Sequence, residues 1–397
     1  MDARTLIGER QRRVWLRAGS GAFGTFRDLV EQTVDPAQWP FACGMEQNVL
    51  IYDGDEIREL EQDADSRTEL MAEWAEAFLD GPGVIAIRNA VEDQEVIDVA
   101  TGVFERIIEE QRSTDAGGGD HFAKPGANDR IWNALQKHCL AAPENFARYW
   151  GSVAIDLASR AWLGDGYQVT AQVNRVNPGG EAQTAHRDYH LGFMTPERLE
   201  AFPSLVHKLS PALTLQGAIA HCDMPVESGP TMLLPFSQAF HEGYIAYSDQ
   251  RYQDWFRAHR SQLPLNKGDA LFFNPALMHA AGSNVSENIY RTANLLQVSS
   301  AFGRPIEAVD RTRLCLHLYP VLLAARRDGT MTDREIACAI AASAEGYPFP
   351  TNLDNDPPVG GLAPSSQSDL MTELLFAGAA TGEALEALRA QAERKRS

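Results

Sequence analysis

Three side chains in the central part of the chain have the types and spacing of a mononuclear metal site. His186 and Asp188 form an H-x-D pair, and His279 follows about ninety residues later, after another β run. Side chains at positions i and i+2 of an extended strand share a face, so this imidazole and carboxylate can point at one ion. Two histidines and one carboxylate are the facial ligand set typical of non-haem Fe(II), which leaves the other coordination positions open. The sequence therefore predicts an iron site at these three residues.

An arginine beyond the second histidine suggests what else this site binds. Arg291 lies twelve residues past His279 and opens the run RTANLLQVSS. An arginine in a mostly apolar barrel is costly to bury unless an anion meets it. The distal carboxylate of 2-oxoglutarate would be that anion, held by two parallel hydrogen bonds from the guanidinium. The order of H-x-D, β structure, histidine and arginine is more specific than any one part.

The elements that must position these residues are short β runs in the middle of the chain. Between Tyr167 and Phe302 several such runs are separated by turns, which predicts a sandwich or barrel. The periodicity is helical before about residue 80 and again after Pro305. We therefore expect an α+β protein with a mainly β core. Its predicted parts are a helical preface (1–80), a β core (81–305) and a C-terminal helical extension (306–397).

A Gly-, Asn- and Asp-rich segment at 115–133 is predicted to be a loop that lines the pocket. It either closes over the iron site as a lid or packs as a static surface loop. His190, two positions past Asp188, either contacts substrate or holds a neighbouring group by a hydrogen bond. The predicted substrate-pocket residues are His190, His121, Phe122, Lys124, Asn128 and Trp132.

Composition excludes several classes of partner. The formal net charge of -19 argues against nucleic-acid binding, because phosphate recognition needs clustered Lys and Arg. No run of about eighteen apolar residues occurs and the first residues lack a secretory signal, so we expect no membrane span and a cytoplasmic location. The five widely spaced cysteines include no Cys-x-x-Cys pair, which is typical of reduced thiols.

Longer motifs around these residues resemble the phytanoyl-CoA dioxygenase family of 2-oxoglutarate oxygenases. The motifs are AHRD, HCDMPVESGPTMLLPFSQAFH at 221–241 and LNKGDALFFNPALMHAAGSN at 265–284, and the resemblance spans about Val84 to Phe302. It implies a double-stranded β-helix, the jelly-roll or cupin-like barrel. Two departures are Arg187, where glutamine is common, and Thr292 with Ala293 after Arg291. The second anchor for 2-oxoglutarate therefore stays open between Thr231 and Ser299.

The resemblance also implies an activity. Fe(II), 2-oxoglutarate and O2 would together oxidise, most directly hydroxylate, an aliphatic C–H of a small organic metabolite, with release of succinate and CO2. No basic cluster suited to the nucleotide of an acyl-CoA lies near the predicted core. The predicted partner is thus a small-molecule substrate.

Other readings of the same residues stay open. A non-oxidative cupin-like metalloenzyme would also use histidine and aspartate ligands, but it has no need of Arg291. A catalytically silent barrel acting as a binding module would need none of the four residues. Halogenation is disfavoured because Asp188 is present where related halogenases carry a small residue. The C-terminal helices offer a surface for a homo-oligomer.

Overall fold

The fold was determined as a computed structural model that describes residues 3–113, 126–347 and 349–396. Its helices are α1 (Ala3–Val14), α2 (Phe23–Val30), α3 (Gly54–Leu60), α4 (Ala64–Leu79), α5 (Gln94–Ser113), α6 (Ala134–Ala141), α7 (Pro143–Trp150), α8 (Val153–Leu163), α9 (Pro196–Leu199), α10 (Ser204–Ala212), α11 (Gly243–Ala246), α12 (Gln250–His259), α13 (Arg311–Asp328), α14 (Asp333–Ser343), α15 (Gln367–Phe376) and α16 (Thr381–Arg394). Its strands are β1 (Gly44–Glu46), β2 (Val49–Asp53), β3 (Val84–Arg88), β4 (Asn128–Ile131), β5 (Gln168–Val176), β6 (Thr214–Ala220), β7 (Thr231–Leu234), β8 (Ser261–Gln262), β9 (Ala270–Phe273), β10 (Met278–Ala281) and β11 (Arg291–Ser299).

The strands form one large and one small sheet. The large sheet has the order β1-β2-β3-β9-β6-β11-β5-β4, and its neighbours are antiparallel except for β2 and β3. The small sheet has the order β10-β7-β8 and is antiparallel. The protein is therefore a mixed α/β fold with a mainly antiparallel sheet. In the described part of the chain the strands do not close into a barrel.

Strand β5 shows how the large sheet is buried on both faces. Val169, Ala171 and Val173 belong to the main hydrophobic core, which also contains apolar residues of helices α4 to α8. The alternate positions carry polar side chains, which are nevertheless buried: Gln168, Thr170, Gln172 and Asn174. Because buried polar groups need hydrogen-bonding partners, a polar face inside the fold indicates an internal site rather than a second core.

Residues 1–80, predicted to be a helical preface, also contain two strands. Strands β1 and β2 form a hairpin within it, and β2 pairs in parallel with β3 at the end of the large sheet. Gln47 and Asn48 make the turn with φ values of 51° and 64°. Strand β2 is buried at four successive residues, so it lacks the polar alternation by which a half-buried strand is recognised.

The C-terminal helices pack onto the rest of the fold. The helical periodicity predicted after Pro305 is confirmed, and its last part forms three separate helices, α14, α15 and α16. Gly378 takes a φ of 70° in the break between α15 and α16, a left-handed conformation that ends a helix readily. Their buried apolar side chains, such as Met371 and Leu388, lie in the main core of the same chain. The structure thus gives no support to a homo-oligomer formed through these helices.

An ion-pair cluster fixes helix α14 to the core. Arg334 on α14 donates to Glu61 at 2.9 Å and to Asp156 at 2.7 Å. Asp156 lies on α8 with a side chain only 1% exposed, and it also accepts from Arg160 and Tyr167.

None of the described helices is long and apolar enough to cross a membrane.

Candidate metal centre and substrate cavity

The structure brings His186, Asp188 and His279 together. His279 lies on β10, and His186 pairs with it as an isolated antiparallel bridge in the segment that follows β5. Each residue offers one ligand atom, and the three atoms all lie within 4.8 Å of one another. His186 and Asp188 lie outside the regular strands. They sit in an extended connection, and the backbone N–H of Asp188 donates to the carbonyl of Pro275 at 2.9 Å.

Hydrogen bonds to the backbone fix the tautomer of both histidines. Nδ1 of His186 lies 2.9 Å from the carbonyl oxygen of Thr184, and Nδ1 of His279 lies 2.8 Å from that of Leu277. A carbonyl can only accept, so each Nδ1 is the donor, and in the neutral form of each ring Nε2 is the nitrogen with the free lone pair. These Nε2 atoms lie 3.7 Å and 3.4 Å from the Asp188 carboxylate. Two imidazole nitrogens and one carboxylate fit a facial Fe(II) site.

The surroundings keep the ligands in the protonation states that a metal needs. Burial lowers the pKa of His186, and the neighbouring His279 lowers that pKa further. Burial by itself would raise the pKa of Asp188. A hydrogen bond and positive charge from His279 and the charge of His186, in the protonated forms of these rings, together with a hydrogen bond from Gln216, outweigh that effect and hold the pKa well below its usual range. At neutral pH the site therefore presents a carboxylate beside a neutral His186.

A small inner cavity of about 140 Å³ joins the three residues to Arg291. Its wall includes Thr231 and Gln216, so both sheets contribute to it. Arg291 is 6% exposed, and its Nη1 donates to the carbonyls of Ser228 at 3.0 Å and Gly282 at 3.4 Å. Among the described residues no carboxylate lies within ion-pair distance of it. Burial lowers the pKa of Arg291 to about 10, so the guanidinium stays charged at neutral pH. A buried charge of this kind favours the binding of an anion.

A larger outer cavity of about 820 Å³ is also lined by His186 and Asp188. Trp132, Phe193 and Ile306 are among its apolar lining residues. Five residues line both cavities and so mark the junction between them: Arg130, Gln183, His186, Asp188 and Gln297. A metal at the three ligands would therefore face both a small charged cavity and a larger, mostly apolar one.

The predicted pocket residues fall into three groups. Asn128 and Trp132 line the outer cavity, although Asn128 begins strand β4 and is not part of a loop. His121, Phe122 and Lys124 lie outside the described residues, as does most of the predicted lid. His190 belongs to the described wall of neither cavity. Tyr189 and His190 take φ values of 63° and 46°, which breaks the alternation that would have placed His190 beside Asp188.

The two proposed second anchors for 2-oxoglutarate separate in the structure. Thr231 lines the inner cavity beside Arg291. Ser299 ends strand β11, whereas Arg291 begins it, so they lie about 26 Å apart along the strand. Ser299 therefore does not reach the cavity that contains Arg291. The sequence predicts that both belong to one strand-rich region but cannot show which end of a strand faces the site.

Arg187 is directed away from both cavities. Its side chain is almost fully buried, lies over the Tyr244 ring at 5.6 Å and donates to the carbonyls of Ser237 and Phe240. Gly243 leaves room for the guanidinium, because any Cβ there would collide with it. Burial lowers the pKa of Arg187 to about 10. Arg187 thus fastens the ligand-bearing segment to residues 237–240 and is not an anchor for a cavity ligand.

A row of amide side chains at the cavity junction was missed in the sequence. Arg130 Nη1 donates to Gln172 Oε1 at 2.9 Å, and Gln172 Nε2 donates to Gln297 Oε1 at 3.3 Å. Gln216 lies directly opposite Gln297 across strands β6 and β11. The available signal was glutamine at alternate positions of otherwise apolar strands, as in YQVTAQVNRV. Such alternation usually marks a solvent-facing side, but here the polar side faces a cavity.

Comparison with known proteins agrees with this site. The chain matches the family described as phytanoyl-CoA dioxygenase (PhyH) over residues 67–293, more than half of its length, and it belongs to that family. It is 26% identical to Dioxygenase trt7 of Aspergillus terreus (strain NIH 2624 / FGSC A1156) over 145 residues, which are 36% of this chain and 44% of that protein. It is 28% identical to Dioxygenase cdmA of Talaromyces verruculosus over 160 residues, 40% and 48% of the two chains. The chain thus spans about half the length of the curated relatives it matches.

Solved structures also resemble parts of the fold. The non-haem α-ketoglutarate-dependent carbocyclase SnoK from nogalamycin biosynthesis aligns with a TM-score of 0.45 and 18% identity, over 62% of this chain and 91% of that one. The epimerase SnoN from the same biosynthesis aligns with a TM-score of 0.42 and 18% identity, over 60% and 82%.

Proposed function

We propose that this protein is an Fe(II)- and 2-oxoglutarate-dependent dioxygenase. In this proposal His186, Asp188 and His279 hold the iron, and Arg291 binds the distal carboxylate of 2-oxoglutarate. The observation that carries the proposal is Arg291 itself, a buried guanidinium in the same small cavity as the three donors. Membership of the phytanoyl-CoA dioxygenase family and the dioxygenase names of its relatives support the same activity.

The chain's own residues would bind and orient the reactants. Bound iron would supply the oxidising chemistry, driven by the decarboxylation of 2-oxoglutarate to succinate and CO2. Arg291 fixes one end of 2-oxoglutarate by charge-assisted hydrogen bonds, and Thr231 offers a hydroxyl beside it. Apolar neighbours in the inner cavity, including Phe273 and Leu295, keep water from the reacting atoms.

The substrate of this proposal is a small organic molecule that is hydroxylated at an aliphatic C–H. The outer cavity of about 820 Å³ lies within the size range of small-molecule sites. Of the described residues in its wall, Arg130 is the only lysine or arginine, so the phosphates of an acyl-CoA would lack partners. The amide row supplies hydrogen bonds to an acceptor oxygen on the substrate. Because Gln297 Oε1 faces Gln172, its Nε2 is the group turned toward other partners.

We also propose that the strands around the inner cavity form a double-stranded β-helix. The cavity is lined from the large sheet by Gln216 and Arg291 and from the small sheet by Thr231 and His279, as expected for a jelly roll. The oxygenase core in this proposal starts at β1 rather than at residue 81, because β1 and β2 extend the large sheet.

Anaerobic binding followed by turnover tests the proposal. Adding Fe(II) and then 2-oxoglutarate should give the visible charge-transfer absorption of the chelate, and Asp188→Ala should not. A panel of free carboxylic acids, amides and hydroxylated small molecules, with acyl-CoA thioesters for comparison, is then screened for faster succinate release. Absence of Fe(II)-dependent 2-oxoglutarate binding would overturn the proposal, and stimulation by acyl-CoA alone would overturn the proposed substrate class.

A further inference from the structure

We infer that Gln216 is a positioning residue that sets which oxygen of Asp188 is presented to the metal. The inference rests on the proposed function. Gln216 Nε2 lies 2.6 Å from Asp188 Oδ2, a short distance for an amide donor to a carboxylate. The two residues are 28 positions apart and belong to different segments, so strand β6 reaches across the inner cavity to hold a ligand.

Hydrogen bonds fix the backbone of Asp188, but they do not fix the rotation of its carboxylate group. Its backbone N–H donates to Pro275 at 2.9 Å, and its carbonyl accepts from the Tyr244 hydroxyl at 2.9 Å. The terminal torsion of an aspartate is broad and roughly two-fold, so backbone restraint does not choose between the two oxygens. Gln216 makes that choice by binding Oδ2.

The orientation of the Gln216 amide follows from hydrogen-bonding chemistry. An ionised carboxylate only accepts, so the group that faces Asp188 must be the NH2. Gln216 Oε1 is consequently turned away, and among the described residues it is buried without a hydrogen-bond partner. Such an atom is costly in a core, and a metal-site role accounts for its retention. A glutamate here would place a second anion against Oδ2.

The neighbouring amide makes a different contact. Gln297 lies directly opposite Gln216 on β11, and its Oε1 accepts from Gln172, whose own Oε1 accepts from Arg130. The amide that donates to Asp188 is that of Gln216. Asp188 Oδ1 lies 3.7 Å from His186 Nε2, and Oδ2 lies 3.4 Å from His279 Nε2. Because Oδ2 accepts from Gln216, Oδ1 is the oxygen that would be free for the metal. In this arrangement Asp188 would hold the metal through one oxygen and would leave room for 2-oxoglutarate and O2.

Metal binding tests this inference without substrate. Gln216→Glu keeps the size of the side chain but replaces the donor with an acceptor, and Gln216→Asn keeps the amide but shortens its reach. Each should raise the anaerobic Fe(II) dissociation constant about 10- to 100-fold, the usual effect of losing a group that orients a metal ligand. The charge-transfer band of the Fe(II) and 2-oxoglutarate complex should also shift. The matched control is Gln168→Asn, which shortens a buried amide bonded to Ser300 and Gly303.

The outcomes separate this inference from the proposed function. If the wild-type protein does not bind Fe(II), the proposed function is wrong. Wild-type binding combined with Gln216 variants that stay within about twofold of it, or an equal loss in Gln168→Asn, overturns only the role of Gln216. Far-UV circular dichroism identifies a variant that fails to fold, and the other Gln216 variant then decides. Tight binding by Gln216→Asn would likewise count against the inference, because its amide cannot reach Oδ2.

Discussion

His186 and His279 exchange both of their backbone hydrogen bonds. The N–H of His186 donates to the carbonyl of His279 at 2.9 Å, and the N–H of His279 donates back at 3.0 Å. Residues paired in this way lie directly opposite each other, and their side chains share a face. The ring centroids are accordingly 4.5 Å apart. The backbone thus holds both imidazoles side by side whether or not a metal is present.

This pairing leads to the first prediction, which concerns the metal ligands. His279→Ala should remove Fe(II) binding and activity while the secondary structure is kept, because the bridge uses only backbone atoms. Anaerobic Fe(II) titration and far-UV circular dichroism measure the two effects. His259→Ala is the control, since that histidine is exposed and stacks on Trp255. Normal iron binding by His279→Ala would show that the assigned site is wrong.

The second prediction concerns Arg291. Arg291→Gln should raise the 2-oxoglutarate concentration for half-maximal rate by about tenfold or more, because a charge-assisted pair contributes on the order of 1.5 to 3 kcal/mol. Steady-state succinate release at saturating Fe(II) provides the measurement. Arg175→Gln, which removes a guanidinium that lies over the Tyr290 ring, should leave this dependence unchanged. The reverse pattern would move the anchor to Arg175.

The third prediction compares the two hydroxyl residues. Thr231→Val should raise the 2-oxoglutarate requirement severalfold, because a lost hydrogen bond costs about 1 kcal/mol. Ser299→Ala should leave that requirement unchanged, since Ser299 lies at the far end of β11. Both variants are assayed under the conditions used for Arg291. An effect confined to Ser299→Ala would contradict the placement of these residues.

The fourth prediction concerns stability against pH and two buried histidines. Burial lowers the pKa of His138 to about 4 and that of His221 to about 3. His221 contacts the Thr101 hydroxyl at 2.8 Å and the Tyr149 hydroxyl at 2.9 Å. Below about pH 6.5 the unfolded chain therefore binds protons at these histidines and the folded chain does not. The free energy of unfolding consequently decreases as the pH falls.

The size of this effect is about 2 kcal/mol per histidine between about pH 7 and pH 5. Urea unfolding at the two pH values gives the difference in unfolding free energy. In His221→Asn that difference should shrink by about 2 kcal/mol, even though the variant is less stable at neutral pH. An undiminished difference would mean that His221 is not the neutral buried group described here.

The local patterns of the chain predict most of the strands. The run YQVTAQVNRV becomes β5, DALFFNP contains β9 and RTANLLQVSS contains β11. Strand length and β-branched composition are local properties, which explains why they can be read directly. The spacing of the H-x-D pair, the later histidine and Arg291 likewise identifies residues that the fold brings together.

Long-range and conformational features were not predictable in this way. Which end of β11 faces the cavity depends on its register with β5 and β6, and no local pattern carries that information. Tyr189 and His190 both have positive φ values, and because neither is a glycine the sequence does not predict this conformation. From the sequence alone, Gln172, Gln216 and Gln297 indicate a strand face that points to solvent. Only the position of the opposing sheet shows that this face lines a cavity.

The ion-pair cluster around Asp156 affects how the protein unfolds. Arg334 reaches Asp156 and Glu61 from α14, and the Asp156 carboxylate is almost fully buried. Peeling the last helices from the sheet would strip this carboxylate of one of its cationic partners inside the core, which costs several kcal/mol. Heating should therefore melt the sheet and the C-terminal helices in one cooperative transition, with no intermediate that keeps the sheet alone.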